Sequence, residues 1–256
     1  MGAGHGHTVH FHGHSVVHRL PAHTKLAALV AFVLIVVATP RTAVWAFVTY
    51  AVLLLVLARA SRVPARYLGK RLLIEIPFVV FAVLMPVVST GPLIAVGPVS
   101  LSEPGLWAAW GLLAKGTIGV GASVLLGATT EPRDLVRALE RARLPRQLVQ
   151  IAAFMFRYLE VVGGELTRMR IARESRGFRA RSVRAWPVLA ATLGALFIRS
   201  YERGERVHLA MLSRGYAGRL PFPTDLTATR AEWARALALP GAAALCAGAA
   251  WLGVGG

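Results

Sequence analysis

The runs Leu26–Pro40, LAALVAFVLIVVATP, and Thr42–Ala58, TAVWAFVTYAVLLLVLA, contain no charge, and Arg41 stands alone between them. A membrane-crossing helix needs roughly 20 mostly apolar residues, with about 17–25 the usual range. Two such runs divided at Pro40-Arg41 predict two spanning helices joined by a tight turn. Each is slightly short, and Lys25, Arg41 and Arg59 at their ends are expected to reach outward to the interface. The pattern continues along the chain. Leu72–Val88 carries Glu75 as its one charge and stops at Ser89-Thr90-Gly91-Pro92, where Pro77 and Pro86 inside the run predict kinks. Leu106–Thr130 carries only Lys115, and Ala236–Gly256 carries no charge, with Trp233 and Trp251 as interfacial anchors.

Composition agrees with that reading. Of 256 residues 55% are hydrophobic and 16% charged, against about 25% charged in an ordinary soluble domain. A mean hydropathy of +0.57 together with a net charge of +17 excludes a disordered tail and a small nucleic-acid-binding module. It fits a polytopic membrane protein with basic cytoplasmic loops. One cysteine, Cys246, excludes an internal disulfide framework and a multi-thiolate zinc site. The link after the second run holds Arg59, Arg62, Arg66, Lys70 and Arg71, whereas the Gly91–Pro104 loop holds no basic residue. The first is therefore expected inside and the second outside, so five spans put the N-terminus in the cytoplasm. No apolar stretch followed by a small-residue cleavage site opens the chain, so no cleaved signal peptide is expected.

Residues 131–235 break the apolar pattern, with 20 basic and 10 acidic residues. Thr129-Thr130-Glu131-Pro132 predicts a helix start with a hydroxyl cap, ending near Leu144-Pro145. From Arg146, apolar residues at Leu148, Ile151, Met155, Tyr158, Val162, Leu166 and Met169 form one stripe at helical spacing. Continued to Ser175, that helix would measure about 45 Å, with Gly163-Gly164 as a candidate bend. A further helix is expected from Trp186-Pro187 to about Ser213. The domain reading is a His-rich tail (1–24), four spanning helices (25–130), a long amphipathic region (131–220) and a linker with the last span (221–256). The expected class is an all-α polytopic membrane protein.

A short repeat is the most informative feature. Ser175-Arg176-Gly177-Phe178 returns as Ser213-Arg214-Gly215-Tyr216, each copy closing an amphipathic helix. Glycine there takes the left-handed conformation that stops a helix, and the aromatic packs back on the last turn. One copy alone reads as an ordinary helix end with a solvated arginine. Two copies with matching aromatics point to paired guanidinium groups aimed at carboxylates of a partner. Gly119, Ser123 and Gly127 form a small-residue stripe suited to close helix packing. Lys115 and Glu75 are costly in lipid and are expected to face the bundle interior in structural roles, with a direct pair between them doubtful. His5, His7, His10, His12 and His14 form a tail with general affinity for a borderline divalent metal, but no specific metal site is assigned. Paired carboxylates and a phosphate-binding Gly-x-x-x-x-Gly-Lys-Ser/Thr loop are both missing from the sequence.

With these motifs placed, the chain resembles the transmembrane T component of energy-coupling factor transporters, in its cobalt-type branch. The likeness rests on His-Gly-His-Ser-x-x-His-Arg-Leu-Pro-x-His-x-Lys-Leu at His12–Leu26 and on Thr129-Thr130-x-Pro132. It rests further on Ala138-Leu139 followed by Leu144-Pro145, on Phe156-Arg157-Tyr158-Leu159 and on the two Ser-Arg-Gly ends, covering about residues 12–220. The resemblance implies a non-catalytic membrane subunit whose cytoplasmic coupling helices lie across two ABC ATPases that bind the ATP and Mg. It implies that Arg176 and Arg214, within Ser175–Gly177 and Ser213–Gly215, dock into acidic grooves of those ATPases. Serine stands where the family often has alanine. A separate substrate-capture membrane subunit is implied, with a small accessory subunit in some systems, for uptake of Co or Ni. The alternatives are a vitamin-type transporter of the same class and a protein whose basic helices bind anionic lipid.

Overall fold

Charge-free runs rich in Leu, Val and Ala cannot leave backbone amides unpaired in lipid, so they close their hydrogen bonds within helices. The computed structural model describes residues 18, 20–90, 92–96, 99–142, 144–179, 185–218 and 228–254. Helix α1 spans Ala22–Ala38 and α2 Val44–Ala60, each of 17 residues, with the turn at Arg41 between them. Helix α3 (Ala65–Leu72) passes through a 3-10 turn (Leu73–Glu75) into α4 (Ile76–Val88). Helix α5 runs Glu103–Thr129, α6 Pro132–Arg141, α7 Arg146–Ser175, α8 Trp186–Leu212 and α9 Arg230–Val254. By length and composition, Arg66–Val88, Glu103–Thr129 and Arg230–Gly253 can cross a membrane, and α1 and α2 are shorter apolar helices. The protein is an all-α membrane protein. The one departure among the described residues is a hairpin of β1 (Leu93–Val96) and β2 (Val99–Ser102), in register Leu93 to Ser102 and Val96 to Val99.

The chain divides into two compact units, one of His7–Ala142 with Asp225–Gly256, the other containing Arg143–Thr224. In the first, α1, α2, α5 and α9 share a core of Phe32, Val36, Phe47, Tyr50, Leu54, Ile118, Leu125 and Ala243. Tyr50 Oη lies 3.0 Å from Thr39 Oγ1 and donates to Ala243 O at 3.3 Å, so the polar tip of the largest buried ring is satisfied. Helix α6, grouped by sequence with the long amphipathic region, packs against α1 in this same unit.

Several expectations change. Lys25 does not reach outward. It is buried, and its ammonium donates to Thr129 O (2.9 Å), Thr130 Oγ1 (3.5 Å) and His18 O (3.4 Å). The end of α5 offers carbonyls without intrahelical partners, and a cation there also suits the helix dipole. Lys115 does the converse, donating to Val37 O (2.7 Å) in the last turn of α1. The hydroxyl cap expected before α6 does not form: Glu131 is the N-cap residue, without a side-chain cap, and Thr129 Oγ1 bonds back to Leu125 O. Pro77 sits in the first turn of α4 after the 3-10 turn and so begins a helix, while Pro86 lies within it. Glu75 and Lys115 form no pair with each other. Glu75 accepts from Thr117 Oγ1 (2.9 Å), against the middle of α5 and deeper than its place in the sequence suggests.

Among the described residues, no helix comes close at Gly119 or Ser123 of the small-residue stripe. A Cβ on Gly119 would meet no atom within 4 Å, and Ser123 is exposed, bonding back to Gly119 O. The close approach is at Gly105, where a Cβ would lie 2.7 Å from both Met85 O and Pro86 Cα of α4. Backbone cannot give way as a side chain can. Gly105→Ala is therefore expected to lower stability by about 1–3 kcal/mol through overpacking. Gly119→Ala is expected to leave it unchanged or slightly raised. Thermal unfolding of the two purified variants, followed by tryptophan fluorescence, checks the ranking, and the reverse order contradicts it.

Candidate functional site

The unit containing Arg143–Thr224 is built on two long helices. Helix α7 is 30 residues without interruption, so Gly163-Gly164 does not break it; at 1.5 Å per residue it is about 45 Å long. Helix α8 begins with Pro187 in its first turn, as the Trp186-Pro187 pair predicts. An ion cluster ties the two helices together. Glu165 of α7 accepts from Arg199 (2.9 Å) and Arg203 (3.3 Å) of α8, with Arg168 of its own helix at 3.6 Å. The hydrogen bond from Arg199 is the main reason its carboxyl stays below the usual carboxylate range, and the charges of Arg168 and Arg203 act in the same direction. The Glu165 side chain is only 16% exposed, while its arginine partners remain largely open to solvent.

Both helices end in the same way. Gly177 has φ +78°, its N–H donates to Glu174 O (3.0 Å), and the Phe178 N–H donates to Arg173 O (3.1 Å). Gly215 has φ +81°, its N–H donates to Leu212 O (3.0 Å), and the Tyr216 N–H donates to Met211 O (3.0 Å). These are two complete Schellman closures, with the arginine in each at the residue before the left-handed glycine. The serines match as well: Ser175 Oγ donates to Ala172 O and Ser213 Oγ to Ala210 O, each at 3.0 Å. Phe178 and Tyr216 are half-buried, whereas Arg176 and Arg214 are exposed and belong to no ion pair among the described residues.

What holds each aromatic differs. The Arg173 guanidinium lies over the Phe178 ring at 5.7 Å. Tyr216 Oη donates to Gln150 Oε1 (3.0 Å), and Gln150 Nε2 donates to Gly218 O (2.8 Å), so the end of α8 is tied to the start of α7. Gln150 was not legible as a functional residue, because a lone glutamine on a helix carries no pattern. Its consequence is geometric. The first closure lies at the C-terminal end of α7 and the second beside its N-terminal turns, so the two arginines sit on the order of 40 Å apart along that helix. Between them the apolar stripe is only partly covered: Leu148, Ile151, Met155 and Leu166 are exposed, while Tyr158, Val162 and Met169 are half-buried. An exposed apolar band of this length, bracketed by two presented cations, is suited to a protein partner.

The histidines His5, His7, His10, His12 and His14, with much of the opening motif, lie outside the described residues. The closures themselves make a direct prediction. An alanine in place of Gly177 or Gly215 must hold φ near +80°, at a cost of about 1–2 kcal/mol. Hydrogen exchange is expected to speed up at Phe178 in Gly177→Ala and at Tyr216 in Gly215→Ala, while Gly163→Ala slows exchange locally. Unchanged protection at both aromatic amides contradicts the assignment.

A family model described as CbiQ, cobalt transport protein, matches residues 13–223. An uncharacterized protein of Methanocaldococcus jannaschii is 32% identical over 112 residues, 43% of this chain and 42% of that protein. The cobalt transport protein CbiQ of Rhodobacter capsulatus is 24% identical over 160 residues, 62% of this chain and 64% of its own length. The energy-coupling factor transporter transmembrane protein EcfT of Bacillus selenitireducens is 29% identical over 228 residues, 80% of this chain and 81% of its own. The chain thus spans between about two-fifths and two-thirds of the first curated relatives it matches, and more of the EcfT proteins. The matched region runs from within the opening histidine motif through both arginine-bearing closures, and by that span the chain belongs to the CbiQ family, described as cobalt transport protein.

Proposed function

We propose that this chain is the energy-coupling membrane subunit of an importer driven by two ABC ATPases, and that Arg176 and Arg214 are its two points of attachment. The observation that carries the proposal is the equivalence of the two closures. Hydrogen bonds, glycine conformation, serine contact and exposed arginine repeat at both ends of one stiff helical unit. A pair of like ends at opposite extremes of α7 suits a pair of like partners. A guanidinium held at a fixed helix end engages carboxylates through two parallel hydrogen bonds, which resists shear as well as separation. The partners bind ATP and Mg and hydrolyse the nucleotide, and this chain is not an enzyme. Motion between the ATPases would displace one closure relative to the other, and α7 and α8, locked by Glu165, would carry that displacement onward.

In this reading the closures and the basic Arg59–Arg71 segment face the cytoplasm, the N-terminus lies on the same side, and the chain is a multi-pass protein of the cell's inner (plasma) membrane. A separate substrate-capture membrane subunit, with a small accessory subunit in some systems, would receive the motion. The cargo is cobalt or nickel, favoured by the family match and by the His-rich opening. A vitamin-type transporter is the second reading, because relatives named EcfT align over more of the chain than the Rhodobacter capsulatus CbiQ does. Uptake assays with coexpressed partners separate the two.

The attachment claim has its own test. Arg176→Glu combined with Arg214→Glu is expected to abolish copurification with the ATPases while membrane insertion continues. Arg168→Glu, which makes the same charge change per site at an arginine already paired with Glu165, is expected to retain most of it and more than either Arg176→Glu or Arg214→Glu alone. If affinity for the ATPases follows total charge across all three positions, the basic helices bind by general electrostatics, and the proposal fails.

A further inference from the structure

At one end of the membrane bundle, the start of α1, the ends of α2 and α5 and the start of α9 surround a cavity of about 160 Å³. Its wall is apolar, formed by Phe32, Leu54, Leu57, Leu126 and Leu239 among others. A volume near 150 Å³ has room for about six carbon atoms. Four polar residues stand in the wall, and one of them, Thr129, already donates to Leu125 O and accepts from Lys25. Lys25 has its three ammonium hydrogens accounted for by Thr129, Thr130 and His18. Ser61 is 3% exposed, and its Oγ has no hydrogen-bond partner among the described residues. Arg235 is exposed and has no carboxylate within 4 Å among the described residues, although Glu232 on the same helix is near enough to feel its charge.

A sealed hydroxyl without a partner is costly, so a group that accepts from it is expected nearby. The arrangement asks for a molecule with an apolar chain, an acceptor oxygen at its head and a negative charge beyond that oxygen. We propose that the cavity holds the first carbons of one acyl chain of an anionic lipid, with the Ser61 hydroxyl turning about its Cα–Cβ bond from its sealed position to donate to the carboxyl or ester oxygen, and Arg235 bearing the headgroup charge. The remainder of the chain leaves through the open side of the cavity along the helices. A structural lipid held there joins α1, α2, α5 and α9 at the end where α6 also packs, and it gives the Ser61 hydroxyl the acceptor it lacks. The site is separate from the arginine closures, so its failure leaves the proposed function untouched.

Two sources share this chemistry, a free fatty acid and a phospholipid, and the test separates them. The full chain in mild detergent is given mixed micelles of oleate, phosphatidylglycerol or phosphatidylethanolamine, and retained lipid per chain is read by native mass spectrometry. One retained equivalent of an anionic species is expected, with phosphatidylethanolamine retained about fivefold less if one arginine sets the preference. Retention of oleate alone identifies a fatty acid site, and retention of phosphatidylglycerol alone a phospholipid site. Leu126→Trp and Leu239→Phe fill the cavity and are expected to abolish the retained equivalent while unfolding temperature is kept or raised. Arg235→Gln, at an exposed position, is expected to equalise phosphatidylglycerol and phosphatidylethanolamine whatever the core variants do. The proposal is overturned if no equivalent survives washing in the unmodified chain. It is equally overturned if retention and lipid preference stay the same in the cavity variants and in Arg235→Gln.

Discussion

Two lysines crossing between α1 and α5 are the interaction on which the membrane unit depends. Lys25, in the first turn of α1, donates to Thr129 O at the end of α5, and Lys115 of α5 donates to Val37 O at the end of α1. Each places a cation where a helix presents carbonyls without intrahelical partners, and each is held away from lipid by doing so. The two bonds are separated along both helices, so together they fix the antiparallel register of α1 against α5. On α1 so placed, α6 and α9 also dock, and α1, α2, α5 and α9 share the aromatic core.

The other unit rests on a backbone constraint. Left-handed glycine at Gly177 and Gly215 turns the chain sharply enough for the following aromatic to fold back and for the preceding arginine to stand clear. Side chains enforce the arrangement from each side, with Arg173 over Phe178 and Gln150 on Tyr216. A third closure of the same kind ends α2, where Arg62 itself takes φ +54° and Val63 donates to Ala58 O. There the arginine occupies the left-handed position that glycine holds in the other two.

Much of this was legible in the sequence, for physical reasons. Long apolar runs with at most one internal charge have few alternatives to a helix in lipid, so α1, α2, α5 and α9 follow from Leu26–Pro40, Thr42–Ala58, Leu106–Thr130 and Ala236–Gly256 with ends shifted by six residues or fewer. Apolar periodicity and terminal glycine gave α7 its limits at Arg146 and Ser175. What escaped depends on pairing across the chain. Lys25 was expected in the interface because nothing local reveals that Thr129 lies beside it. Gly119 was expected to be packed because spacing alone does not say which face of α5 meets α4, and the close contact falls at Gly105 instead. The hairpin of β1 and β2 was unreadable in a short Gly- and Pro-rich loop, and Gln150 acquires its role only when the end of α8 folds back to it.

The central claim is that the two closures are the places where this subunit meets its ATPases. Photo-crosslinking from Ser175 and from Ser213, each beside its arginine, measures this most directly in the assembled complex. The account predicts that both positions crosslink to the ATPase subunits, each with comparable yield. A complex that forms normally while neither position crosslinks to an ATPase would contradict it.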